Sequence, residues 1–277
     1  MLAKIERRIN KMIAGRFARK LAWRNVPRPI ISFTFDDFPK SALTLGGRIL
    51  IDNGCAGTYY AAMGVMGTTT ALGPMFDRAD LDDLSSQGHE LACHTLDHVS
   101  CFSVPTADFV LACAENRDNA AVMLAGQKLH NFSFPFGDVN LAAKRLLRSA
   151  YVTCRSIEPG MNRDPVDLAF VRANRMYSGL PLEPLERLIC ANAECDGWLV
   201  FYTHDIGANP SPYGCTPDYF EHVLRCALNS GAEVLTVYEV TNRFRMASTG
   251  EPTIDNPRTE RDRSQPQSGT SGPSIFF

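Results

Sequence analysis

The sequence predicts an α/β fold on a mostly parallel sheet of about seven strands, open or closed into a barrel, with closure favoured by the strand number. Two observations carry that expectation. Between residues 30 and 245, short β-rich apolar runs alternate with helical patterns. The side chains with chemistry to offer fall at the C-terminal ends of those runs, where parallel α/β architectures keep their functional groups. With 277 residues and 45% hydrophobic composition, the chain has apolar material for one large domain or two smaller ones.

Residues 1–25 are predicted to form a basic amphipathic helix. Leu2, Ile5, Ile9, Ile13, Phe17 and Leu21 recur at helical spacing, and between residues 1 and 24 eight Lys or Arg stand against the single acid Glu6. Two readings stay open: a helix packed on the domain, or one lying on an anionic membrane surface or a partner. The charges run through the segment without the ~7–15-residue apolar core of a secretory signal. No stretch reaches the ~18 apolar residues of a membrane span. The expectation is a soluble, cytoplasmic protein, with peripheral contact to the inner face of a membrane as the open alternative.

Residues 26–246 carry the alternation. "PIISFTF" reads as a strand, "SALTLGGRILIDNG" as a helix stopped by Asn53-Gly54, and "AGTYYAA" as the second strand. "DRADLDDLSSQG" is a short helix ending at Gly88, and "HELAC" is the third strand. A long helical pattern covers 106–130; "NFSFPF", "DVNLAAKRLLRSA" and "YVTC" then read strand, helix, strand. After a helix at 181–194 come "GWLVFYT", a helix capped by Thr216 with Pro217 in its first position, and "AEVLTV". Residues 247–277 are polar and rich in Pro, Gly, Ser and Thr, the composition of a disordered tail.

A net charge of −2 gives no reason to expect nucleic acid as a partner. The nine cysteines form no Cys-x-x-Cys pair, which argues against a zinc ribbon or a thioredoxin-type site and for reduced thiols. Cys93, Cys113, Cys154 and Cys226 sit in apolar or helical patterns, as buried hydrophobes do.

The strand ends give a short list: Asp36 and Asp37, His94 and His98, the Pro135-Phe136-Gly137 turn, and His204 with Asp205. Two adjacent carboxylates resist burial unless a positive charge lies beside them. His94 and His98, four residues apart, would share one face of a helical turn. Two imidazoles and one carboxylate make a three-ligand set for Zn2+ with one position open. One of Asp36 and Asp37 would bind the metal and the other act as base, with His204 as general acid. A two-His, one-carboxylate set also suits Co2+, Ni2+ or Fe2+. His89 reads as structural, and His130 and His222 as surface or packing residues on helices. Cys93 and Cys101 flank the site as minor candidates for a thiolate ligand.

Together "TFDD" (34–37), "HTLDH" (94–98), "FPFG" (134–137) and "YTHD" (202–205) resemble the polysaccharide deacetylase family, the NodB-homology enzymes of carbohydrate esterase family 4. The resemblance spans about residues 30–245. It implies a distorted (β/α) barrel in a single domain and metal-dependent hydrolysis of an acetyl group on an N-acetylated sugar. The expected substrate is a surface-polysaccharide or glycoconjugate precursor; a small non-sugar amide or an inactive saccharide-binding paralogue are the alternatives. By the same resemblance Asp36 is the catalytic base, Asp37, His94 and His98 the metal ligands, and His204 the general acid. Phe136 offers its backbone N–H to the oxyanion beside Pro135, and Tyr202 takes the place of a leucine lining the acetyl pocket. Three departures stand out. Phe38 replaces a glycine and is expected to reshape the mouth of the site. Ser133 replaces an arginine that orients the base, a gap assigned to Arg172, with Arg155 competing. The family's Asp-Trp motif is absent. Trp198 reads as core.

Overall fold

The computed structural model describes residues 2–25 and 28–246. In chain order the helices are α1 (Leu2–Ala14), α2 (Arg48–Asp52), α3 (Arg78–Ser86), α4 (Thr106–Met123), α5 (Leu141–Ala150), α6 (Glu183–Glu194), α7 (Pro217–Asn229) and α8 (Val237–Thr241). The strands are β1 (Leu21–Arg24), β2 (Ile30–Asp37), β3 (Thr58–Ala61), β4 (Thr69–Thr70), β5 (Gly73–Pro74), β6 (Glu90–Cys93) and β7 (Asn131–Ser133). They continue with β8 (Thr153–Arg155), β9 (Val166–Asp167), β10 (Asn174–Arg175), β11 (Trp198–Thr203), β12 (Glu233–Val234) and β13 (Phe244–Met246).

The main sheet runs β10-β11-β2-β3-β6-β7-β8, every pairing parallel, and β12 joins β2 at Ile30 and Ile31, below the point where β3 begins to pair. β2 is buried over its whole length except at its last residue, so it reads as a continuous apolar run. The sheet curls into a half-barrel. Its two edges approach through one segment: Val171 exchanges backbone hydrogen bonds with Cys154 and Ser156 on the β8 side, and four residues later Arg175 pairs with Tyr202 of β11. Asn162 adds a second tie, exchanging backbone hydrogen bonds with Trp198 of β11 at 2.9 Å each way, and such short bridges in place of a continuous ladder make the barrel distorted.

Side-chain caps start the helices where turn chemistry predicts. Asp77 and Asp80 form a capping box on α3, Thr216 caps α7 ahead of Pro217, and Thr236 with Glu239 boxes α8. The core fills the space between sheet and helices, with Phe33, Phe35, Tyr59 and Phe132 fully buried. Trp198 is fully buried too, its Nε1 donating to Ser32 Oγ at 3.0 Å.

Several boundaries differ from the sequence reading. The N-terminal helix ends at Ala14 instead of running to residue 25, because Leu21–Arg24 extends to pair antiparallel with β13 and β9. The helix expected over 106–130 stops at Met123, beyond which Ala125 and Gly126 take positive φ. His130 therefore lies in a loop, stacked on Tyr238 at 4.6 Å. The expected tail, 247–277, lies outside the described residues. No helix among the described residues is long and apolar enough to cross a membrane.

Candidate active and metal site

Five strands deliver the site at their C-terminal ends. β2 ends in Asp36 and Asp37, and β6 leads into His94 and His98. Beyond β7 lie Phe136 and Gly137, while β8 ends in Arg155 and β11 runs into His204. They border one cavity of about 550 Å³, except Arg155, which lies behind it.

The backbone is strained here. Asp37, Phe38, Thr95, His98 and Phe136 all have φ between 53° and 63°, a region that costs non-glycine residues free energy. This corrects one expectation: His94 and His98 do not share a helical turn. They converge across a bend, pinned where the Val99 N–H donates to Thr95 Oγ1 at 3.0 Å. Gly137 also needs its lack of a side chain, since a Cβ on it would collide with Ile157.

Asp37 Oδ1 lies 3.4 Å from His94 Nε2 and 3.1 Å from His98 Nε2, and His204 Nε2 is 3.9 Å from Asp37 Oδ2. His94 Nδ1 is bonded to the Ser133 carbonyl at 2.8 Å; that bond takes the Nδ1 proton and leaves Nε2 as a lone pair. Burial first, then the neighbouring His94, push the His98 pKa down to about 4, so His98 is neutral near pH 7. Burial alone would raise the Asp37 pKa, but His94, then His98 and His204, hold its carboxyl well below the usual range. Although both imidazoles are so close, Asp37 Oδ1 is buried and accepts no hydrogen bond of sound geometry. An orphaned carboxylate oxygen facing two imidazole nitrogens, all within 4.8 Å of one another, fits a divalent metal ion of the zinc class.

Asp36 is treated differently. Arg155 Nη2 donates to Asp36 Oδ1 and to Ser133 Oγ, and the guanidinium is sandwiched between the rings of Tyr60 at 4.8 Å and Tyr202 at 5.1 Å. Desolvation opposes the charge on Arg155, but Asp36 outweighs it and the guanidinium stays cationic. His204 is fixed from behind, its Nδ1 3.2 Å from the Tyr213 carbonyl, with Nε2 facing the site. Asp205 does not reach the site: it accepts from Ser211 N at 2.7 Å and so holds the loop that carries Tyr213.

The structure brings Asp36, Asp37, His94, His98, Phe136, Tyr202 and His204 together around the cavity. Arg172 is a correction. Its exposed side chain turns to the Pro159 carbonyl at 2.8 Å, and Arg155 takes the position beside Asp36. Pro135 is buried and shapes the turn, while Phe136 and Gly137 form the cavity wall. Phe38 points into the core, stacked on Phe76 at 4.6 Å, and does not line the mouth. Cys93 faces Tyr151 and Asn116 and Cys101 faces the Asp138 carbonyl, both away from the ligand cluster. His89 Nδ1 accepts from Gly57 N at 3.0 Å, a structural contact. Sequence reasoning missed Tyr60, Tyr177, Arg175 and Tyr213. The signal was there for Tyr60, next to the end of an expected strand, whereas Arg175 ends a two-residue strand that no sequence pattern announces.

Fold and site define the chain as a curled β/α half-barrel with an Asp-His-His cluster, a paired aspartate and a histidine at one mouth. Residues 24–154 match the family model described as polysaccharide deacetylase. No curated protein matches the sequence. The fold is shared with an acetyl xylan esterase of family 4 from Clostridium thermocellum, solved with a cobalt ion (17% identity, 77% of this chain and 90% of that one, TM-score 0.53). It is shared as well with the chitin deacetylase of the fungal pathogen Colletotrichum lindemuthianum (13%, 80% and 93%, 0.53). A third such structure is the family 4 carbohydrate esterase PdaA of Bacillus subtilis (10%, 85% and 89%, 0.53). The family match stops at residue 154, just before Arg155, and leaves the altered second half unmatched.

Proposed function

We propose that the protein is a metal-dependent deacetylase that hydrolyses the acetamide of an N-acetylated sugar, in a precursor of a surface polysaccharide or glycoconjugate. The observation that carries this reading is the division of labour at the end of β2. Asp37 faces two imidazole lone pairs while Asp36, one residue earlier, is held by Arg155 beside the same cavity. Asp37, His94 and His98 would hold the ion, Zn2+ first and Co2+, Ni2+ or Fe2+ next; bound there, it acidifies water and stabilises negative charge on oxygen. Asp36 removes the proton of the attacking water, its Oδ1 anchored by Arg155 so that the carboxylate cannot turn away. Phe136 and Tyr202 confine the acetyl group. His204 Nε2 protonates the departing amine, its Nδ1–H retained by the Tyr213 carbonyl. Tyr177 and Tyr213, with ring centroids 6.1 Å apart, add an aromatic wall suited to the apolar face of a sugar ring. Arg155 also stands in for the arginine that Ser133 replaces, which supports an active site over an inactive paralogue.

The second part of the reading concerns where the substrate is met. On α1, half-exposed Arg7 and the more buried Lys11 pair with Asp138 and Glu158 of the body at 3.2 Å each, while Ile5, Ile9, Met12 and nearby Phe17 are 46–57% exposed. Arg8 and Arg16 are exposed alongside them. Apolar side chains flanked by cations match an anionic lipid surface. Asp138 and Glu158 each follow a cavity-wall residue, so α1 would hold the mouth close to lipid-linked precursors in a cytoplasmic leaflet.

Acetate release from a panel of N-acetylated saccharides and small amides tests the activity. Asp36→Asn is expected to abolish turnover with metal content unchanged, and His94→Ala to lose both. Turnover surviving Asp36→Asn would remove Asp36 from the role of base.

A further inference from the structure

We propose a second metal site, away from the barrel mouth, in which Glu186 of α6 with His222 and Cys226 of α7 bind one zinc-class divalent ion and clamp the two helices together. Three observations meet here. The ligand atoms of these residues all lie within 4.8 Å of one another. His222 Nε2 is 2.7 Å from Glu186 Oε1 and 3.6 Å from Cys226 Sγ, so imidazole, carboxylate and thiol converge on one point. The residues come from two facing helices: His222 and Cys226 are four apart on α7, which puts both on one face, and Glu186 meets them from α6.

The donor chemistry selects the ion. A thiolate with an imidazole suits Zn2+ or Co2+ and disfavours Mg2+ and Ca2+, which need oxygen ligands. The Glu186 and His222 side chains are 41% and 40% exposed, so an ion can enter without unfolding. Three protein ligands leave one tetrahedral position for water, and the exposed Cys190 thiol lies one turn after Glu186 on α6. Binding balances simply. The Cys226 thiol releases its proton to solvent as the thiolate–metal bond forms. The His222 ring proton moves to Nδ1, freeing the Nε2 lone pair that now faces Glu186. One proton is released per ion bound. Helix α6 leads into β11 and α7 follows its loop, so the clamp would brace the segment that presents His204.

The two sites differ in one atom type that spectroscopy reads. The cluster at the mouth (Asp37, His94, His98) has no sulfur, so thiolate-to-cobalt charge-transfer absorption reports only on a cysteine site. Reduced full-length protein titrated with Co2+ is expected to bind two ions per chain and to show that band. Cys226→Ser should lose the band and one ion while keeping the other ion, and His222→Gln should do the same. Asp37→Ala should lose the other ion and keep the band. In the Asp37→Ala background Zn2+ should raise the melting temperature, and adding Cys226→Ser should cancel the rise. A titration with no charge-transfer band, or a band that survives both Cys226→Ser and His222→Gln, overturns the proposal. Loss of the mouth site with this one intact would instead count against the deacetylase reading alone.

Discussion

Asp36 is 5% exposed, and a carboxylate that deep stays charged only beside a cation. Arg155 is that cation, itself 1% exposed, and the two were bound to be hard to pair from sequence, lying 119 residues apart on different strands. Removing one member of a buried pair leaves the other charge stranded, at about 3–5 kcal/mol. Arg155→Met is therefore expected to destabilise the protein by about that amount in urea unfolding. Arg155→Lys keeps the charge but loses the planar guanidinium, whose Nη2 bonds both Asp36 and Ser133 while its faces stack on two tyrosines. It should lower kcat at least tenfold with KM little changed, because what is lost is the aim of Asp36, the proposed base; an unchanged kcat would show that Arg155 serves stability only. Phe38 shows the same trade in backbone terms. Its positive φ costs about 1–2 kcal/mol, which explains why glycine suits the position, yet its ring is fully buried against Phe76 and Tyr59. Deleting a buried phenylalanine side chain costs about 3–5 kcal/mol, so Phe38→Gly should still destabilise, by about 2–3 kcal/mol, with activity per folded molecule retained. The motif residues were legible because each ends a strand and carries an unusual side chain. The φ at Phe38 and the choice of Arg155 over Arg172 were not, since both depend on where a loop turns.

Helix α1 was visible as a periodic pattern, but which face it buries could not be read from spacing. The apolar stripe suggested a face against the domain; instead the body takes hold of α1 through polar contacts. Lys144, buried on α5, donates to the Ala14 carbonyl and to Asp167 Oδ2, both at 2.7 Å, and so satisfies the free C-terminal end of α1. Arg7 and Lys11 hold the next turns. With Arg7 and Lys11 paired to the body, Ile5, Ile9 and Met12 remain about half exposed, an apolar area that asks for a surface. Replacing Ile5, Ile9 and Met12 together by Gln leaves every inward contact in place. Sedimentation with vesicles containing anionic lipid is expected for the native chain, weakening as salt rises, and to fall at least tenfold in the triple variant with unfolding unchanged. Equal sedimentation of the two proteins would remove α1 from the role of lipid contact.

Across the whole molecule the parallel sheet separates two polar ends. Its strands were legible because most are buried on both faces and read as apolar runs. Closure was not, because it rests on short backbone bridges at Val171 and Asn162, which leave no periodicity behind. The C-terminal end of the sheet holds the site. At the opposite end Glu90 opens β6, bordering a cavity of about 300 Å³ with His130 and Tyr238. It accepts hydrogen bonds from Asn131 Nδ2 at 2.6 Å, and from Thr58 Oγ1 and the Tyr238 N–H at 2.8 Å each. Those donors favour its charge, but burial outweighs them, with Glu239 adding to the effect, and the pKa is raised from 4.5 to about 7. The sign for stability follows. Below about pH 4.5 the folded and unfolded chains both carry the proton. Between about 4.5 and 7 only the folded chain keeps it, so stability contributed by Glu90 declines as pH rises through that window and levels off above it. His89, pushed down to about 4 by burial, works in the opposite direction, since only the unfolded chain gains its proton as pH falls below its ordinary 6.5. The difference between two proteins therefore isolates Glu90 better than either profile alone. Glu90→Gln cannot titrate, and with Asn131 already accepting from Thr153 it also faces one donor with another. It should be the less stable protein at pH 5 in urea unfolding, with the gap to the native chain narrowing steadily toward pH 8. Parallel profiles would mean that Glu90 ionises at the same pH folded and unfolded, and that three hydrogen bonds are enough to offset its burial.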